Sequence, residues 1–294
     1  MPKEHTLRIE NHEIVSLEFN EDKPGIPIIF IQGITSSMSM WLTGQTPIID
    51  EQFHWYLLNM PGHYPSVLPP DFEEYELSAV TIARVLAKAI KELVGDSAVI
   101  LAGHSTGGFA ALDIAANAAD IVNIERVICV SGFAEGRWRG NLGVFQRMAR
   151  IGELGEELFK VALRSLGSNQ WFYRLVLKGY LVDRRYFYSH PLAGRTLGAS
   201  YADAMNFDIR TMLYYFKRMP KVNIRRELRD IDVPVLVVTG DKDPIVTSKQ
   251  AYLIASRITK SQLAIVRGAG HLPMNERPER YHQIITDWLS KDKK

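Results

Sequence analysis

The sequence predicts an α/β protein, a doubly wound, mostly parallel sheet carrying a helical insert. Three observations carry that expectation. Short apolar runs rich in β-branched residues alternate with stretches of helical apolar spacing over residues 25–130, and again over 233–290, as in a sheet covered by helices on both faces. Between them, from about 135 to 220, the β-branched runs vanish. Between Phe133 and Phe216 lie 16 of the 29 aromatic residues, so this segment has apolar anchors of its own and reads as a folded insert, not a linker. The expected organisation is a core of residues 1–134 and 221–294 with an insert at 135–220, which suits 294 residues at 46% hydrophobic content.

Residues 6–20 alternate loosely around Asn11 and His12, like an opening β-hairpin. Residues 25–31 form a buried-strand run that ends at Gln32, Gly33 and Ile34, and a short helix is expected to begin near Trp41. Residues 54–60 are another strand, closed by a turn over residues 61–66. Leu77, Val80, Ile82, Val85, Leu86, Ala89, Ile90 and Leu93 recur at helical spacing, and Gly95 stops that helix. Residues 97–102 and 124–130 read as strands flanking a helix that starts near Phe109. Within the insert, 155–166 and 205–219 read as short helices. Strands return at 233–239 and 262–266, with helices at about 248–256 and 278–290 and a charged tail at 291–294.

The chemistry is concentrated at Gly103, His104, Ser105, Thr106 and Gly107, a Gly-x-Ser-x-Gly pattern between a buried-strand run and a helix. A strand that passes into a helix through one serine turns sharply, and glycines on either side let backbones approach closely. The serine is then exposed beyond the carboxyl end of its strand. Asp243 and His271 also follow strand runs, so all three belong to the sheet edge where ligands bind in such folds. Their order is Ser, Asp, His. His104, beside the serine, reads as a packed structural histidine.

On these residues the chain resembles the α/β-hydrolase fold superfamily, serine esterase and lipase-like, over nearly its whole length. The resemblance rests on Gly103–Gly107, on Gly240, Asp241, Lys242, Asp243 and Pro244, on Gly270 and His271, and on an oxyanion-loop position at Gln32, Gly33 and Ile34. It implies a triad of Ser105, His271 and Asp243, with Asp241 and Glu135 as alternative positions for the acid, and backbone N–H groups of Ile34 and Thr106 as the oxyanion hole. It implies a lid between strands six and seven, where the insert falls. The chain departs from many relatives at Gln32, where a histidine is common, and at Tyr64, where a glycine is. Gln32, Tyr64, Trp138, Phe145 and Trp171 are the expected pocket residues. The resemblance implies cleavage of a carboxylic ester through an acyl-enzyme, and the excess of aromatics in the insert points to a hydrophobic ester. The same triad also serves cofactor-free haloperoxidases, carbon–carbon bond hydrolases and acyltransferases, and some relatives have become non-catalytic ligand receptors.

Composition bounds the partners. The net charge of +2 gives no nucleic-acid signature, and no apolar run reaches 18 residues, so no membrane span is expected. The stretch from Arg137 to Arg218 carries a balance of +8, which leaves the rest at −6, and this basic insert could make peripheral contact with a membrane. The opening residues lack the apolar stretch of a signal peptide, Cys129 is the single cysteine, and no Asn-x-Ser/Thr acceptor occurs. A cytoplasmic protein is expected. The histidines show no metal-ligand spacing, and neither metal nor cofactor is called for.

Overall fold

The alternating residues of the first twenty positions pair as an antiparallel hairpin, β1 (Lys3–Ile9) and β2 (His12–Phe19), with Leu7 opposite Ile14. The computed structural model describes residues 2–290, so the tail at 291–294 lies outside the described residues. The remaining strands are β3 (Ile28–Ile31), β4 (Trp55–Leu58), β5 (Val99–His104), β6 (Ile124–Val130), β7 (Val235–Gly240) and β8 (Ser261–Val266). They form one eight-stranded sheet in the order β1-β2-β4-β3-β5-β6-β7-β8. β2 runs against both neighbours, and the pairs from β4 across to β8 are parallel.

Helices cover both faces. They are α1 (Trp41–Gly44), α2 (Pro47–Gln52), α3 (Ala79–Val94), α4 (Thr106–Asn117), α5 (Gly140–Met148), α6 (Glu153–Ser168), α7 (Gln170–Leu177), α8 (Arg184–Ser189), α9 (Leu192–Ala204), α10 (Ile209–Arg218), α11 (Ser248–Arg257), α12 (Pro273–Glu276) and α13 (Pro278–Leu289). Strand periodicity sorts the core into two layers. Ile29 and Ile31 pack with Val85 of α3 and Phe109 of α4, whereas Ile28 and Phe30 pack with Ile285 and Trp288 of α13 on the other face. α3 begins where the Ser78 hydroxyl accepts from Thr81 N–H at 3.1 Å and ends at Gly95, whose φ of +63° suits glycine. α2 and α12 had no signature in the sequence, since six and four residues are too few to display a helical period.

The segment between β6 and β7 contributes α5 to α10. Phe145, Phe159 and Phe216 of α5, α6 and α10 meet with ring centroids 5.1–5.9 Å apart and join the layer formed by α3 and α4. Phe187 and Leu197 of α8 and α9 join the opposite layer. The insert therefore bridges both faces at the carboxyl edge of the sheet.

One core residue makes stability depend on pH. Asp113 of α4 is wholly buried; its Oδ1 accepts from Asn117 at 2.7 Å and its Oδ2 has no partner within the described residues. Burial, with Glu227 nearby, pushes this carboxyl up to about 6. Between its ordinary value of 3.8 and that point the folded chain holds a proton the unfolded chain has released. Its contribution is thus present at low pH and lost as pH rises through about 6. Asp113→Asn removes this titration. Its stability relative to the parent should rise by on the order of 3 kcal/mol between about pH 4 and pH 7. Denaturant melts at the two pH values check this, and a pH-independent difference would contradict it.

Candidate active site

The serine is placed by strain and by two glycines. Ser105 stands between β5 and α4 with φ 53° and ψ −114°, a conformation disfavoured for a residue with a Cβ. Its N–H donates to Val130 O at 2.8 Å and its carbonyl accepts from Phe109 N–H at 2.9 Å, which fixes the turn on both sides. A Cβ on Gly103 would stand 2.1 Å from Gly107 O, and one on Gly107 would stand 2.2 Å from Ile31 O. Neither position admits a side chain while strand and helix stay this close.

His271 sits in the loop after β8, and its backbone is held at both ends. Its N–H donates to Tyr180 O at 3.0 Å, and its carbonyl oxygen lies 2.9 Å from His104 Nε2. The imidazole Nδ1 is 2.7 Å from Asp243 Oδ2, both side chains being buried. The other carboxylate oxygen, Oδ1, accepts from the N–H groups of Ile245 at 2.8 Å and Val246 at 2.9 Å. With Oδ1 occupied by two N–H donors, Oδ2 is the oxygen that meets Nδ1, and an Nδ1–H donated to it leaves Nε2 as a lone-pair acceptor. Burial pushes the His104 imidazole down to about 3, so it stays neutral beside His271.

Of the three candidate acids, the one brought to His271 is Asp243. Asp241 instead accepts from Gly268 N–H at 2.8 Å, and Glu135 lies against Gln250 and Arg225. The sequence missed Glu276. Wholly buried, it accepts from Gly270 N–H at 2.8 Å, Val182 N–H at 2.7 Å and Asp183 N–H at 3.2 Å. Burial raises its carboxyl, and these donors pull it back. One side chain thus ties the histidine loop to the insert. Its position five residues after His271 was the available signal.

Ser105 and His271 share the wall of a cavity of about 70 Å³ with Ile34, Thr35, Ser36, Met40, His104, Leu142, Tyr173, Leu177, Tyr180, Thr196, Leu272 and Asn275. Thr106 is the first residue of α4, where backbone N–H groups have no acceptor one turn back and the helix end is positive. The Ile34 loop crosses so close that a Cβ on Gly33 would stand 3.1 Å from Ser105 Cβ. Such a constellation can move a proton from a serine hydroxyl to an imidazole and stabilise an oxyanion nearby.

The five expected pocket residues fall outside this wall. Gln32 is buried against Asn59 beneath the loop, where its amide meets the backbone of Leu58 and Met60. Tyr64, 49% exposed, sits in the turn after β4. Trp138 and Phe145 are buried against Phe216, within the aromatic core that anchors the insert. Trp171 is 71% exposed on α7. Tyr173, two positions further along the same helix, lines the cavity instead, since two residues turn a helix by about 200°. Tyr180 also lines it and meets Thr35 Oγ1 at 3.2 Å.

A sheet of this order, with a strained serine at one strand end and an acid–histidine pair at two others, defines an α/β hydrolase. Residues 28–284 match the family described as Alpha/beta hydrolase family, and the chain belongs to it. It is 20% identical over 301 residues to (E)-2-((N-methylformamido)methylene)succinate hydrolase of Acinetobacter baylyi, covering 97% of each chain. Among solved structures it resembles the enol-lactonase of Burkholderia xenovorans LB400, at a TM-score of 0.76 and 18% identity over 98% of this chain and 100% of that one. It also resembles a thermophilic esterase of Thermogutta terrifontis, at 0.73 and 20% identity over 98% of each. The family and this curated relative are named as hydrolases, and the two solved structures share the fold. Among the described residues no helix is long and apolar enough to cross a membrane.

Proposed function

We propose that this chain is a serine hydrolase that cleaves a neutral, hydrophobic carboxylic ester through an acyl-enzyme intermediate. The observation that carries the reading is that His271, held by Asp243, lines the same cavity as the strained Ser105. In the proposed reaction Ser105 Oγ attacks the ester carbonyl carbon while His271 Nε2 takes its proton. The oxyanion points to the N–H groups of Ile34 and Thr106. Collapse breaks the bond to the alcohol oxygen, which leaves with the proton from His271. Water, activated by the same imidazole, then releases the acid and restores Ser105.

The choice of substrate follows from the cavity wall. Met40, Leu142, Leu177 and Leu272 are apolar, Tyr173 and Tyr180 add aromatic surface, and no Lys or Arg is among the described residues lining it. A substrate bearing a second carboxylate would be desolvated there without a cation, a costly burial. An apolar acyl chain gains about 0.8 kcal/mol per buried CH₂, close to fourfold per carbon. The small volume sets a ceiling on that gain. Measured as kcat/KM across neutral esters of two to twelve acyl carbons, specificity should rise over the first several carbons and turn down before twelve. A maximum at acetyl with steady decline, or a preference for dicarboxylate monoesters, would contradict the reading. The balance of +8 between Arg137 and Arg218 keeps peripheral membrane contact as part of this proposal, and a lone, buried Cys129 fits a cytoplasmic setting.

A further inference from the structure

A second concave region lies at the same edge of the sheet and shares no lining residue with the serine cavity. It is a groove of about 700 Å³ between the start of the insert and α11. Arg137, Arg139, Arg150, Lys221 and Lys249 line it, against the single carboxylate of Glu135. Among the described residues none of these five cations is ion-paired with a carboxylate. That is unlike Lys217 of α10, which is held by Glu74 at 2.8 Å and Glu156 at 2.7 Å. Glu135 is itself engaged, with Arg225 at 3.9 Å and with the Gln250 amide at 3.4 Å.

Two helix N-termini converge here. α5 starts after Arg139 and α11 after Thr247, and neither of those capping residues supplies a side-chain hydrogen bond to its helix. The two starts are tied together, since Arg139 N–H donates to Ile245 O at 3.0 Å. Gly140, at φ +55°, lets α5 begin at that point, for a Cβ there would stand 3.1 Å from Pro244 O. Leu142 N–H is taken by Asn141 Oδ1 at 2.9 Å and Gln250 N–H by Thr247 O at 2.9 Å, so what the two helix starts add to the field of the five side chains is chiefly the positive end of each helix. Trp138 also lines the groove, 6% exposed, and its indole N–H has no partner within the described residues.

We propose that this groove binds the phosphate groups of a small polyphosphate-bearing ligand. Unpaired cations are solvated at low cost on an open surface, but five around one concavity repel one another until an anion neutralises them. Guanidinium forks suit phosphate oxygens in bidentate pairs, and two adjacent helix ends suit two linked phosphates better than one. Because the two cavities share no wall residue, the ligand binds beside the ester and is not part of it. The site therefore stands independently of the proposed esterase reaction.

Isothermal titration calorimetry on the full chain, with inorganic pyrophosphate and ADP as probes and sulfate at equal ionic strength as the control, tests this. Saturable one-to-one binding of pyrophosphate is expected, weakening as salt is added. In Arg139→Gln/Lys249→Gln it should weaken by about 10- to 100-fold, while ester hydrolysis and the melting temperature stay at the parent values. Arg150→Gln/Lys221→Gln gives a second, independent pair should the first disturb folding. ADP binding as tightly as pyrophosphate assigns recognition to the phosphates, tighter ADP binding adds the nucleoside, and loss of ADP binding alone points to free polyphosphate. Pyrophosphate heats that sulfate reproduces, or affinity unchanged in both substituted proteins, would overturn the proposal.

Discussion

Ser105→Ala should abolish ester turnover, by a factor on the order of 10⁶, while leaving the fold and its melting temperature intact. The size follows from the division of labour around the residue. Alanine keeps the Cβ and the turn but removes the only atom that can form the acyl bond. The strained backbone at φ 53° is held by the Val130 and Phe109 hydrogen bonds, neither of which involves the hydroxyl. Gly103 and Gly107 fix the close approach of strand and helix regardless of the side chain at 105. A residual rate over water is expected from the oxyanion donors alone. Steady-state kinetics with an activated short-chain ester, alongside a thermal melt, reads both halves of the prediction. A variant retaining a tenth of parental turnover would mean that another residue carries the nucleophilic step.

Asp243→Asn should cost about 10⁴ in kcat with little change in KM. An asparagine placed there presents an amide N–H to His271 Nδ1 if it is to keep accepting from Ile245 and Val246. That reverses the donor and acceptor roles of the ring and turns an N–H toward the serine. Because those two backbone donors hold one side-chain oxygen at 2.8 and 2.9 Å, the substituted side chain cannot rotate freely to restore the original arrangement. Glu135→Gln serves as the comparison and should be nearly silent on ester turnover. Its carboxylate lies with Arg225 and Gln250, away from His271. The opposite ranking of the two variants would place the acid after β6.

How far the sequence reached depended on whether a feature is local. The sheet could be read because alternation and apolar runs are set by a strand's own two faces, as in Ile28–Ile31. Ser105, Asp243 and His271 could be placed because each lies within a few residues of a strand's carboxyl end, and topology brings those ends together. The cavity wall could not. Whether an insert aromatic faces the cavity or its own helices depends on how α5, α6, α7 and α10 pack, which the count of aromatics does not encode. Trp138 and Phe145 fill the seam with Phe159 and Phe216, while Tyr173 and Tyr180 turn toward Ser105. His104 shows the intermediate case. Read as structural packing, it is buried as expected, and its contact with the His271 carbonyl follows only from the fold.

The proposed mechanism requires a covalent bond from Ser105 Oγ to the acyl group. Intact-protein mass spectrometry, on samples quenched in acid within milliseconds of mixing with a butyryl ester of a good leaving group, reads that bond directly. The account predicts one added butyryl group per chain, located on the peptide containing Ser105, accumulating in a burst and absent from Ser105→Ala. An adduct on another residue, or full turnover with no acyl-enzyme at any quench time, would contradict it.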